Sequence, residues 1–188
     1  MRLFTAIDLP SEILLRLERL LSALRPEALV KWSPLDNLHI TTKFIGEWPE
    51  ARVPEINDAL RRVSRRQPFE VELKGLGWFP NERSPRVLWL GVEAGNELAT
   101  LAAETEDALK PLGIAKEDRE FSPHLTLARI KNPVPLSNLR KKVQQMQPAE
   151  MGRIPVSRFS LFRSRPGTNA SIYEKLTDYD FESVMAAS

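Results

Sequence analysis

The sequence has no cysteine in its 188 residues, which excludes a disulfide framework and any thiolate metal site. It also lacks an apolar run near the roughly 18–20 residues needed to cross a bilayer. In "MRLFTAIDLPSE", Asp8 and Pro10 interrupt the stretch that a signal peptide would keep apolar. The N-terminus is therefore expected to be mature sequence, the protein cytoplasmic, and a membrane no partner. Glycine is scarce at eight residues and no tract is of low complexity. There is little excess of either charge: the net charge is +2 and the pI about 9.0. Such a balance is compatible with a nucleic-acid partner without pointing to one. Two local basic runs, "RRVSRR" (61–66) and "RKK" (140–142), fall in helix-like stretches and read as solvated helix faces.

Histidine is scarcer still. There are two, in "NLHITTKF" (37–44) and "SPHLTLAR" (122–129), each set as apolar–His–apolar–Thr. Threonine occurs eight times in the 188 residues, about 4% per position. Two chance threonines at +2 would occur in roughly 0.2% of such sequences.

Periodicity gives alternating strands and helices. Strands are expected at 2–8, 38–45, 69–79, 86–92, 124–130, 153–164 and 171–179. Helices are expected at 11–24, 50–65, 96–113 and 136–147. The histidines lie 85 positions apart (39 and 124), and the offset recurs: Leu3 matches Leu88, Phe4 matches Trp89 and Ile7 matches Val92. A unit of strand–helix–strand–helix–strand thus occurs twice, with an extra strand closing the second copy. "FPNERSPR" (79–86) and "SRPGTNAS" (164–171) read as hairpin loops. The expected fold class is α+β and bilobal, with two pseudo-symmetric lobes of antiparallel sheet plus helices around a central groove. Residues 1–188 are expected to form a single domain of two interleaved, similar lobes.

In a strand, side chains at i and i+2 share a face. His39 then sits beside Thr41, and His124 beside Thr126. A pseudo-two-fold axis would bring both pairs to one space between the lobes. Two imidazoles flanking a phosphorus atom can run an in-line displacement, one taking a proton from the nucleophile and the other protonating the leaving oxygen. An unperturbed pKa near 6.5 makes both protonation states accessible at neutral pH. The threonine hydroxyls can donate to non-bridging phosphate oxygens. This chemistry needs no metal. Zinc ligation is the competing reading of paired histidines, but each strand offers one imidazole and no carboxylate at i+2 completes a site.

The motifs resemble those of the 2H phosphoesterases, defined by two His-x-Thr-x motifs, and most of all the LigT-like RNA 2′,3′-cyclic phosphodiesterases once described as 2′–5′ RNA ligases. "RLFTAIDLP", "NLHITTKFIGE", "RVLWLGV" and "FSPHLTLARI" carry the resemblance over nearly the whole chain. It implies a bilobal α+β fold and hydrolysis of RNA or nucleotide 2′,3′-cyclic phosphodiester ends to 2′-phosphomonoesters, without a cofactor. It implies His39 as proton donor to the 3′ leaving oxygen and His124 as proton acceptor from water; the residues themselves leave these two roles interchangeable. Reversible 2′–5′ ligation by the same site, and a non-catalytic module that binds RNA ends, remain as alternatives. The expected partners are RNA with 2′,3′-cyclic phosphate ends or 2′,3′-cyclic nucleotides, and the expected state is monomeric.

Position +5 from each histidine holds Phe44 in one copy and Arg129 in the other. In an ideal strand both would face away from the histidine, Phe44 into the core and Arg129 into solvent. The family has an aromatic and an arginine at these places, and a bulge would turn them back. Both are carried as substrate-binding candidates, Arg129 for phosphate and Phe44 for a base. Thr42 and Lys43 are expected on the strand's other face and surface, and Trp78, Phe79 and Trp89 in the core.

Overall fold

The computed structural model describes residues 1–182. The chain opens with β1 (Arg2–Ile7), whose Leu3 and Ile7 enter the main apolar cluster, while Phe4 and Ala6 on the opposite face form a smaller one with Phe162. Pro10, with φ −62°, leads directly into α1 (Ser11–Leu24). The leucine spacing buries Ile13, Leu17, Leu20, Leu21 and Leu24 on one stripe. A two-residue strand, β2 (Lys31–Trp32), comes next and is too short for a period-two pattern to reveal. β3 (Ile40–Glu47) follows, then α2 (Val53–Val63), which carries Pro54 in its first turn. α2 is shorter than expected because Glu50–Arg52 makes a separate 3₁₀ turn. Its inward face is Ile56, Ala59, Leu60 and Val63, and Arg61 is paired with Asp58. This part of the basic run is the solvent side of an amphipathic helix.

The remaining elements are β4 (Phe69–Phe79), β5 (Val87–Ala94), α3 (Asn96–Leu109), β6 (His124–Arg129), α4 (Ser137–Met146), β7 (Gly152–Val156), β8 (Arg158–Arg165) and β9 (Ile172–Asp180). One sheet runs β3-β1-β8-β9 and the other β2-β6-β5-β4-β7. Each sheet therefore mixes strands from both halves of the chain. Pairing throughout is antiparallel, as the α+β reading requires. Both hairpins form as expected, β4–β5 and β8–β9; the first is closed by the Arg86 amide donating to the Phe79 carbonyl at 2.7 Å.

The main core joins apolar residues of all four helices to one face of each sheet. Each fully buried leucine in it contributes roughly 1.5–3 kcal/mol relative to exposure. The other faces of the sheets are left free, and the site described below lies on them.

The expected strand 153–164 is two strands in different sheets. β7 pairs with β4 and β8 pairs with β1. Buried positions shift from Ile154 and Val156 to Phe159 and Leu161, so the parity of the alternation changes across Ser157. Pro155 is tolerated because β7 is an edge strand. Among the described residues no helix is long and apolar enough to cross a membrane.

Candidate active site

β3 begins one residue after His39 and β6 begins at His124. Leu38 and Ile40 are buried in the core, as are Leu125 and Leu127, which turns His39 and Thr41, and His124 and Thr126, to the free faces of their sheets. β3 is an edge strand, and residues of β3 and β6 approach within 8 Å, Cα to Cα. The two motif faces therefore border one groove. Among the described residues, neither Thr41 nor Thr126 has its hydroxyl engaged within the protein.

Both motif strands are bulged at matching places. The β1–β3 register shifts between Thr5↔Lys43 and Ala6↔Thr41, leaving Thr42 as the extra residue. The β5–β6 register shifts between Leu88↔Ala128 and Trp89↔Thr126, leaving Leu127 extra. An extra residue reverses the alternation of faces beyond it. Phe44 and Arg129 consequently return to the histidine side of their strands. Phe44 is 63% exposed, not in the core as an ideal strand would have it, and its ring lies 6.3 Å from Phe4. Arg129 is exposed.

The same bulge corrects the placing of Lys43. Thr42 is on the core side as expected, bonded to Thr5 through the two hydroxyls at 2.6 Å. Lys43 is not on the surface: its side chain is 1% exposed and paired with Glu106 of α3 at 2.9 Å. Its ammonium also donates to the Ala115 carbonyl at 2.8 Å. The Phe44 amide donates to Glu117 at 3.1 Å. The first motif strand thus grips the segment that runs to His124.

The two histidines have different surroundings. The His39 side chain is 11% exposed, with Nε2 3.5 Å from Asp8 Oδ1. Its ring lies 4.7 Å from Phe162 and 6.0 Å from Tyr173, and Phe162 stacks on Phe4 at 5.2 Å. Burial lowers the His39 pKa below its ordinary value, with Asp8 opposing the effect. Asp8 also pairs with Lys175, which reaches Asp178 at 3.1 Å. Burial alone would lower the Lys175 pKa, but the bonds to Asp8 and Asp178 outweigh it and the net shift is upward. His124 is exposed, and its Nδ1 is 2.8 Å from the Ser122 carbonyl oxygen. A carbonyl only accepts, so Nδ1 carries the proton and Nε2 presents a lone pair when the ring is neutral. Ser33 steadies β6, its hydroxyl donating to the Thr126 carbonyl at 2.7 Å and its amide to Leu127 at 2.9 Å.

A family model described as the 2′-5′ RNA ligase superfamily matches residues 10–168. The chain belongs to this superfamily. It is 35% identical over 180 residues to the RNA 2′,3′-cyclic phosphodiesterase of Archaeoglobus fulgidus, covering 96% of this chain and all of that one. Among solved structures, a Thermus thermophilus protein superposes with a TM-score of 0.83 at 33% identity, covering 98% of this chain and all of its own. Escherichia coli LigT, solved with 3′-AMP, gives a TM-score of 0.75 at 27% identity over 96% of this chain and 97% of that one. Membership of the 2′-5′ RNA ligase superfamily agrees with the resemblance drawn from the two motifs.

Sequence reasoning missed several residues of this superfamily member's groove. Asp8 carried one signal, a lone acid ending an apolar strand just before Pro10. Lys175, Tyr173 and Phe162 carried none, since β8 and β9 reach His39 only through long-range pairing with β1. Of the three aromatics expected in the core, Trp78 packs against it, half-buried. Phe79 is 51% exposed at the hairpin. Trp89 is half-buried on the groove face opposite Leu88 and Leu90, paired in register with Thr126. A Cβ on Gly77 would fall 2.1 Å from the Trp89 ring, so the glycine makes room for the indole. No group of three or more His, Cys, Asp or Glu among the described residues is arranged to hold a metal ion.

Proposed function

We propose that the chain hydrolyses 2′,3′-cyclic phosphodiester ends of RNA or nucleotides to 2′-phosphomonoesters, without a metal. The carrying observation is the pair of His-x-Thr faces on two strands that meet along one groove, with matching bulges that add Phe44 and Arg129 to those faces. The relative in Archaeoglobus fulgidus bears the name of this activity.

In this reading His124 Nε2 takes a proton from water, whose oxygen attacks phosphorus. His39 gives a proton to O3′ as the P–O3′ bond breaks, leaving the phosphate on O2′. Thr41 and Thr126 donate to the non-bridging oxygens, and Arg129 counters the developing charge. Phe44 and the rings beside it offer a face for the base. His124 as acceptor is supported by its Nδ1–H bond to Ser122, which orients the free nitrogen outward. His39 as donor must hold a proton despite burial. A bound anionic phosphodiester restores one by raising the imidazole pKa, in the same direction as Asp8. Ligation to a 5′-hydroxyl would use the same acid and base in reverse, and a purely binding role would leave the paired histidines without purpose; neither has an observation of its own. The protein is taken to act as a cytoplasmic monomer.

Asp8→Asn removes the carboxylate that raises the His39 pKa and leaves the Lys175 cation beside it, which lowers it further. The expected result is an alkaline limb of the kcat–pH profile displaced to lower pH. An unmoved alkaline limb would contradict His39 as donor. Incubation with a 2′,3′-cyclic nucleotide in excess EDTA tests the metal-free reading: turnover is expected to persist unchanged, and its loss on chelation would refute it.

A further inference from the structure

The groove differs chemically from end to end. On the β3 side, the face bearing His39 is aromatic, with Phe44, Phe4, Phe162 and Tyr173. On the β6 side the chain continues past Arg129 to Lys131, and β2 places Lys31 directly opposite Arg129 in the ladder. Lys31, Arg129 and Lys131 line a cavity of about 160 Å³ whose apolar wall includes Leu29 and Val134. Leu29 is 94% exposed at its rim. Lys31, Arg129 and Lys131 are all exposed, and among the described residues none has an ion-pair partner.

Three unpaired cations converging on one cavity stand out in a chain whose net charge is only +2. Several basic groups elsewhere on the sheets are neutralised locally: Arg153 by Glu70, Arg158 by Asp178 and Asp180, and Arg163 by Glu174. The repeat does not demand this arrangement either. At the 85-residue offset Lys131 matches Gly46 and Arg129 matches Phe44, so the cations belong to one end of the groove alone. Another cavity, of about 310 Å³, is bordered by Glu70, Glu72, Glu93 and Arg153, and its three carboxylates against one cation would repel a polyanion.

We infer that this cavity is a second phosphate subsite, which holds the RNA backbone upstream of the cyclic end. The inference rests on the reading of the groove as the site for that end. Arg129, at the far end of the strand that His124 begins, lines the cavity, and Lys131 lies two residues further on, so the cavity lies beyond the reacting phosphate and within reach of nucleotides upstream of it. Lys31 and Lys131 supply charge to a backbone phosphate without selecting a sequence. Leu29 and Val134 give an apolar surface for a ribose or base edge. The subsite distinguishes an RNA chain from a mononucleotide, because only the chain has a phosphate to place there.

The test is the double variant Lys31→Ala/Lys131→Ala, which alters two exposed side chains. Fluorescence anisotropy would compare binding of a pentaribonucleotide ending in a 3′-phosphate with that of a 3′-mononucleotide, and turnover would be measured on the 2′,3′-cyclic forms of both. The double variant is expected to bind the pentanucleotide about tenfold more weakly, and the slope of log K against log salt to flatten by about 1.4, the value for two single-strand phosphate contacts. Mononucleotide binding and turnover are expected to stay within about twofold of the parent. Equal losses for both ligands, or an unchanged salt slope, would overturn the subsite. If the parent turns over neither cyclic substrate yet the selective loss of pentanucleotide binding persists, the subsite stands and the catalytic reading fails.

Discussion

Replacing His124 or His39 by alanine is expected to lower turnover of a 2′,3′-cyclic nucleotide by about two to four orders of magnitude, the usual cost of losing a general acid or base. The two substitutions are expected to leave the fold in place. His124 is exposed, and the His39 ring packs against Phe162 on the groove face rather than in the main core. Urea midpoints close to that of the parent would show that the lost activity is chemical. His39→Ala is also expected to lose the alkaline limb of the pH profile, because it removes the proposed proton donor. Turnover near that of the parent in either variant would remove the two-histidine mechanism.

The second large effect is on stability and concerns Lys43. Its ammonium is enclosed, paired with Glu106 at 2.9 Å and bonded to the Ala115 carbonyl. The Glu106 side chain is itself only 13% exposed, and among the described residues its Oε2 has no hydrogen-bond partner. Removing the cation alone leaves that largely buried carboxylate with the Glu117 amide, at 3.4 Å, as its remaining donor. Lys43→Met is therefore expected to destabilise the protein by about 3–5 kcal/mol, whereas Lys43→Met combined with Glu106→Leu recovers most of the loss, since replacing both charges leaves none unpaired. Equilibrium urea denaturation checks this through the midpoint at constant slope. A loss below about 1 kcal/mol in the single variant would show that the pair is not enclosed as described.

The residues that were legible in the sequence are those governed by local rules. The helix stripe of α1 follows from leucine spacing, the hairpins from Pro, Gly and Asn clusters, and the His-Thr pairs from the two-residue repeat of a strand. Repetition at 85 residues added the relation between the two motifs, which neither motif has alone. The bulges at Thr42 and Leu127 were not legible, because an extra residue is defined only against the partner strand. Without them Phe44 reads as core and Lys43 as surface, and both placements are reversed in the fold. The change of sheet at Ser157 was hidden for a related reason: an alternating pattern shows which faces are apolar but not which sheet each half joins. Asp8 and Lys175 are 167 residues apart in sequence, and only the β1–β8–β9 pairing brings them together beside His39.

In the proposed reaction, an acid and a base on opposite sides of one phosphate open a 2′,3′-cyclic ring at the 3′ oxygen without a metal. Phosphorus NMR of the product formed from a 2′,3′-cyclic nucleotide in EDTA decides whether they do. The predicted spectrum shows the cyclic resonance replaced by that of a 2′-monophosphate. A 3′-monophosphate, or a cyclic resonance that persists until a divalent metal is added, would contradict it.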